Sequence, residues 1–166
     1  MADADTTRDP EPRASRPHMD GYNVPQMLEG MLPWVWARER LSKSHNYWLT
    51  TTRPDRAPHT MPVWGIWLNG AWHCSTGPRT RKAQNLAKNP CCTVCTENAE
   101  EAVILEGVAR KLSDSEIPQQ AFFDYPAKYG WELDPKNGLV FEVRPRVIFA
   151  MPEEQFPSGV TRWNFA

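Results

Sequence analysis

Hydrophobic positions along this chain fall in short runs, and most of the runs are rich in aromatic and β-branched side chains. Asn46 to Arg53 (NYWLTTTR) predicts a strand on that ground. Pro54-Asp55-Arg56-Ala57 has the composition of a turn, and Pro58 to Leu68 resumes as a second strand. Asn69-Gly70 tolerates positive φ at both positions, as a type I′ hairpin requires, and joins the second strand to a third over Ala71 to Ser75. Cys91 to Glu97, Ala102 to Lys111, Leu139 to Val143 and Arg146 to Ala150 predict the remaining strands, with Pro145 marking a bend or an edge.

Three segments read as helical. From near Leu32 to Ser44 the spacing gives no clean moment, but Val35, Leu41 and the tryptophan pair suggest one buried stripe. A short helix follows the Gly77-Pro78 turn, starting with Arg79, Thr80, Arg81 and Lys82. Ser113-Asp114 reads as the N-cap of a third, which Pro118 and Pro126 make irregular or broken and Gly130 stops after Tyr129. Met1 to about Pro25 has little to bury and predicts a disordered arm, which leaves 26–166 as one domain. Strands joined by tight turns pair antiparallel, so the class is mainly β with some α, a barrel or a sandwich. With no GxGxxG, P-loop or repeated βαβ unit, a Rossmann domain is not expected.

Composition narrows the function classes. A net charge of -1 and a pI near 6.4 offer no bulk electrostatic attraction to nucleic acid. The chain opens MADADTTRD, acidic where a secretory signal is basic and then apolar, and its longest apolar run, Val63 to Leu68, is too short to span a membrane. These features predict a cytoplasmic protein with reduced cysteines. Cys92 and Cys95 form a CxxC, but three residues apart on a strand they point to opposite faces, so they are read as packed thiols with no metal site.

The most informative stretch is AWHCSTGPRTRKAQNLAKN, Ala71 to Asn89. Arg79, Arg81 and Lys82, with the Thr80 hydroxyl, meet the free backbone N–H groups of a helix start. Cations there oppose the helix dipole unless an anion sits beside them. On a helical wheel Ala83, Leu86 and Ala87 share a packing face, while Lys82, Asn85 and Asn89 form a polar stripe. With Ser75 and Thr76 at the strand end, the set can surround a phosphate. A solvated charged turn is the alternative.

Other residues divide between two readings. Trp64 suits the wall of a ligand groove, while Trp34, Trp36 and Trp48 suit core packing. His59 and His73 have no carboxylate at a dyad spacing and read as structural or solvent-facing. Tyr125, Lys128 and Tyr129 form either a rim over the groove or simple packing. Glu106 is placed to meet a basic partner across the barrel. None carries a catalytic assignment.

Four segments together, PHTMPVWGIWLNG, STGPRTRKAQNLAKNP, EGVARKL and the closing TRWNFA, resemble the flavin and deazaflavin split-barrel superfamily, best known from pyridoxamine 5′-phosphate oxidase. The similarity is greatest to the small branch that carries coenzyme F420, a 5-deazaflavin. It runs from about Leu32 to the last residue, and its most specific piece is Thr80-Arg81-Lys82, the triplet that grips the cofactor phosphate in that family. The resemblance implies a six-stranded split β-barrel forming a homodimer, with a cofactor in each groove between subunits. His59 to Trp64 (Pro62, Val63 and Trp64 at its end) would flank the ring, and Trp163 would approach a cofactor, that of its own subunit or of the partner subunit. The activity implied is hydride transfer between F420 and a small organic molecule; an FMN oxidoreductase, or a module that only binds a cofactor or haem, are the alternatives. HTMPVWGIW lacks the Arg and Lys that help hold FMN in the oxidase proper, and no arginine–histidine constellation for a pyridoxal substrate is found. That argues against vitamin B6 oxidation and favours the deazaflavin.

Overall fold

Strand β2 (Tyr47–Thr52) shows how the sheet acquires two faces: Tyr47, Leu49 and Thr51 are buried, and the side chains between them are exposed or half-exposed. The computed structural model describes residues 12–166, and its other strands are β1 (Arg13–Ser15), β3 (Pro58–Val63), β4 (Gly65–Leu68), β5 (Ala71–Thr76), β6 (Cys91–Thr96), β7 (Glu101–Lys111), β8 (Leu139–Pro152) and β9 (Thr161–Asn164). The same alternation recurs in β6, β9 and most of β7, while β5 is buried on both faces. The helices are α1 (Trp34–Lys43), α2 (Arg81–Lys88) and α3 (Ala121–Tyr129).

All pairings are antiparallel. β2 pairs with β3 and β6, β6 with β7, β7 with β8, β8 with β5, and β5 with β4. β3 and β4 follow each other through Trp64, which belongs to neither ladder, so the circuit closes through the chain itself. The result is a split barrel. The single strand expected over Pro58 to Leu68 is therefore two, with a bend between them. Gly65 follows the bend because the Trp72 ring lies where a Cβ would be. The hairpin at Asn69-Gly70 is as expected, with φ of 53° and 71°.

The barrel is filled by Tyr47, Leu49, Val63, Trp72, Val94, Val103, Leu105, Val143 and Ile148, closed at one end by Trp34, Ala37 and Leu41 of α1. Val35 is 44% exposed, so the buried stripe of α1 runs through positions 34, 37 and 41 and leaves Val35 outside. A second apolar layer, with Ile66, Leu112, Ile117, Ala121, Tyr125, Leu133 and Val140, lies under α3. The expected helix from Ser113 is broken at Pro118: Ser113 caps a 3₁₀ turn over Asp114–Glu116, and α3 then runs through Pro126 to Gly130, whose φ is 65°.

Two further expectations change. Pro145 does not divide its segment; β8 is continuous and absorbs the proline in a register shift opposite Glu106 and Gly107. Part of the N-terminal segment expected as an arm, from residue 12 on, lies against the barrel. β1 pairs with β9, and the Arg16 guanidinium donates to the carbonyls of Met27, Glu29, Ser158 and Val160. Backbone pairing, Arg16 and the Ser15 hydroxyl hold this segment, with only Ala14 packed against the core and Pro17 buried, so its apolar signal is weak. The remainder of the expected arm, residues 1–11, lies outside the described residues.

Cys92 is buried and Cys95 half-buried on the opposite face of β6, as strand alternation requires. Burial pushes the Cys74 and Cys92 thiols up to about 12, so both stay protonated and unreactive. Among the described residues no helix is long and apolar enough to cross a membrane.

Candidate functional site

β5 delivers the chain to the basic segment. After Thr76 it turns through Gly77, Pro78 and Arg79, and Thr80 takes the N-cap position with φ -71° and ψ 150°. α2 thus starts at Arg81, two residues later than expected, and Arg79 sits in the turn. The Thr80 hydroxyl accepts from the Ala83 amide at 3.4 Å and lies 2.9 Å from the Gly77 carbonyl and 3.1 Å from the Thr76 hydroxyl. Its demonstrable role is to build the helix start.

The first turn of α2 holds no acidic residue. Arg79 and Arg81 are exposed, Lys82 is half-buried, and none of the three joins an ion pair among the described residues. Uncompensated cations thus crowd the positive end of a helix dipole beside free amides. Arg40, Lys43, Arg110 and Arg144 form ion pairs, whereas the other lysines and arginines among the described residues, like these three, form none. The donor set at α2 fits a phosphate.

Asn85, the other polar residue expected there, is buried, and its Oδ1 has no hydrogen-bond partner among the described residues. It is 1% exposed, and its Nδ2 donates to Thr51 Oγ1 at 3.0 Å, tying α2 to β2. Ala83 and Leu86 are buried beside it as expected, Lys82 and Asn89 are half-buried, and Ala87, expected inside, is exposed.

A cleft of about 320 Å³ opens at the same turn. Ser75, Thr76 and Gly77 form one side, Trp64 and Tyr125 another, and Trp131 to Gly138 the rest, with Glu132, Asp134 and Asn137 at its polar edge. Trp64 is 40% exposed, and its ring stacks on Tyr129 with centroids 4.8 Å apart and planes 10° from parallel. Of the residues expected at a cofactor, Ser75, Thr76 and Trp64 meet here. Val63 points into the core at 7% exposure, and Pro62 lies exposed opposite Trp48 on the barrel edge. Trp163 is 1% exposed, 5.5 Å from the Trp34 ring, and packs in the core away from this cleft.

Sequence reasoning missed Trp131 and the 132–138 loop. An aromatic directly after the helix-stopping Gly130 was the available signal. It also missed a pairing: the β5–β8 register sets His73 against Glu142, with Nε2 and Oε2 3.6 Å apart and both side chains buried. Burial holds the His73 imidazole below its ordinary range, against the pull of the carboxylate. Glu142 also accepts from Arg144 at 2.8 Å and Arg110 at 3.4 Å. Neither His73 nor Glu142 lines the cleft, and the group reads as structural. Glu106 is exposed and makes no ion pair among the described residues.

Comparison with known proteins agrees with this architecture. An F420 reductase structure superimposes with a TM-score of 0.56 at 18% identity, covering 67% of this chain and 94% of its own. A putative pyridoxamine 5′-phosphate oxidase from Listeria innocua gives 0.57 at 16%, covering 68% and 93%. A heme binding protein from Mycobacterium smegmatis gives 0.59 at 17%, covering 77% and 62%. At such identities these similarities speak for the fold alone. Among curated proteins none matches significantly. The family profile described as pyridoxamine 5′-phosphate oxidase matches residues 37–151, from the middle of α1 to the end of β8. The chain therefore belongs to the pyridoxamine 5′-phosphate oxidase family.

Proposed function

We propose that this protein is an oxidoreductase dependent on coenzyme F420, with the cofactor phosphate held by Arg79, Arg81 and Lys82 at the start of α2. The observation that carries the reading is the unpaired cation cluster on a helix N-terminus, directly after Ser75, Thr76 and Gly77, which line an aromatic-walled cleft. A bound deazaflavin or flavin supplies two-electron transfer as hydride to a small organic acceptor. The chain's own residues anchor, orient and shield. Lys82, half-buried, gives a point charge, and the two arginines give bidentate donors. Trp64 offers a flat apolar surface beside Ser75 and Thr76. The absence of Arg and Lys over His59 to Trp64 supports the deazaflavin over FMN.

Homodimerisation belongs to the same proposal. Trp48, Met61 and Trp64 are 47%, 42% and 40% exposed around the β2–β3 edge, with Pro62 among them. An apolar edge of this kind is suited to burial against a second copy.

The test is titration of the purified protein with F420 and, separately, FMN, followed by tryptophan fluorescence. Tight quenching by F420 is expected. Arg81→Ala and Lys82→Ala should each weaken it by about 1.5–3 kcal/mol, the worth of a hydrogen bond to a charged group. Tight binding of FMN alone would assign the flavin instead. If neither binds, the basic turn is only solvated charge and the reading fails.

A further inference from the structure

α3 ends on two adjacent side chains that grasp one backbone unit. Lys128 Nζ donates to the Tyr47 hydroxyl at 2.9 Å, the Gly65 carbonyl at 3.0 Å and the Ser42 carbonyl at 3.3 Å. An ammonium has three donors, so this one is saturated. The Tyr129 hydroxyl accepts from the Gly65 amide at 2.9 Å and lies 2.7 Å and 2.8 Å from the Gly65 and His45 carbonyls. Both polar atoms of Gly65 are thus held from α3.

Gly65 is the residue directly after the bend, and Trp64 lies in neither flanking ladder. Its ring direction consequently depends on what holds Gly65 and on the Tyr129 ring beneath it. A lysine in the last turn of a helix can satisfy the dipole from solvent with its side chain free. Lys128 instead gives up its rotamer freedom, a sizeable entropic cost, to reach a bend that borders the cleft.

We propose that Lys128 and Tyr129 are positioning residues, a clamp from α3 onto Gly65 that sets the orientation of Trp64 along the cleft wall. The role of that wall in holding a cofactor or acceptor rests on the function proposed above; the clamp itself does not. Burial pushes the Lys128 ammonium down to about 8, with Glu97 opposing. The other groups facing it are Tyr47 from β2 and Tyr129 from α3, with His45 against the Tyr129 ring. Burial raises both phenols above their ordinary range, so they keep their protons through that window. Above pH 8 the neutral amine has two N–H groups for three acceptors, and the clamp slackens.

The experiment uses ¹⁵N-labelled protein without cofactor, with the Trp64 indole signal assigned by its loss in Trp64→Phe. In the wild type that signal should move with a midpoint near pH 8, and in Lys128→Met the movement should vanish. Tyr129→Phe keeps the ring and removes one hydroxyl, so amide exchange at Gly65 should quicken by about fivefold. A Trp64 signal flat across the window, an unchanged titration in Lys128→Met, or wild-type exchange in Tyr129→Phe would each overturn the clamp. Should Lys128→Met fail to fold, Tyr129→Phe and the wild-type titration decide. Because no cofactor is present, these results do not depend on whether F420 or FMN binds. Where one does bind, Tyr129→Phe should weaken it about fivefold. Wild-type affinity would overturn the connection to the cleft.

Discussion

Replacing Gly65 by alanine tests the geometry on which the split barrel turns. A Cβ built at Gly65 falls 2.6 Å from Trp72 Nε1 and closer still to two carbons of the same ring. The indole would have to retreat by roughly 1 Å to reach ordinary van der Waals separation. It has nowhere to go: Trp72 is 0% exposed and packs edge-on against Tyr47 at 5.3 Å. Overfilling a close-packed core costs about 1–3 kcal/mol. Displacing Gly65 also strains the bonds from Lys128 and Tyr129, so the upper end is expected, about 3 kcal/mol. For a chain of this size that is a fall in Tm of about 6–12 °C, read by circular dichroism. Gly77→Ala is the control, because its nearest contact is an ordinary 3.5 Å to Thr80 and its φ is not positive. The double variant Gly65→Ala/Trp72→Phe, with a smaller ring, should recover part of the loss. If Gly65→Ala melts within a degree or two of wild type, or the smaller ring rescues nothing, the packing of Trp72 over Gly65 is wrong.

Asn85→Ala should lower stability by about 1–3 kcal/mol through loss of the buried bond to Thr51, while leaving cofactor affinity unchanged; a tenfold loss of affinity would return Asn85 to the phosphate shell. Glu142→Gln should lower stability near neutral pH by about 2 kcal/mol, because it takes the charge from between Arg110 and Arg144. Burial pushes the Glu142 carboxyl up, but the Arg144 bond and charge outweigh it and leave the group below its ordinary range. The folded value is depressed, so the contribution is complete above about 4.5 and is lost as pH falls through the folded value. The Tm difference from wild type should therefore close in acid; a gap constant down to pH 3 would refute the linkage.

What could be read from the chain was what neighbouring residues determine between themselves. Asn69-Gly70 forms its turn from its own dihedral freedom, and Gly130 stops its helix for the same reason. The basic turn was legible because Thr76, Thr80, Arg81 and Lys82 meet through seven consecutive residues of local structure. Where the partner is distant, the same rules pointed the wrong way. Asn85 and Ala87 looked polar-out and apolar-in by the wheel, but Asn85 is buried against Thr51, 34 residues away, and Ala87 is exposed. Trp163, a cofactor contact by resemblance, is buried in the core beside Trp34, a neighbour far away in sequence.

The bend at Trp64 shows why part of the site could not be legible. Val63, Trp64 and Ile66 continue a strand by every local criterion, and a lone glycine among them signals only that something comes close. Two things come close, the Trp72 ring on one side and the end of α3 on the other, and neither is near in sequence to the other. Trp64 therefore leaves the ladder because of contacts that exist only once the barrel has closed. The proposed phosphate anchor is local and the aromatic wall is assembled, so the two halves of the proposed site should fail differently. Substitutions in the anchor should remove affinity and spare stability. Substitutions behind the wall, at Gly65, Lys128 or Tyr129, should cost stability and ligand orientation together.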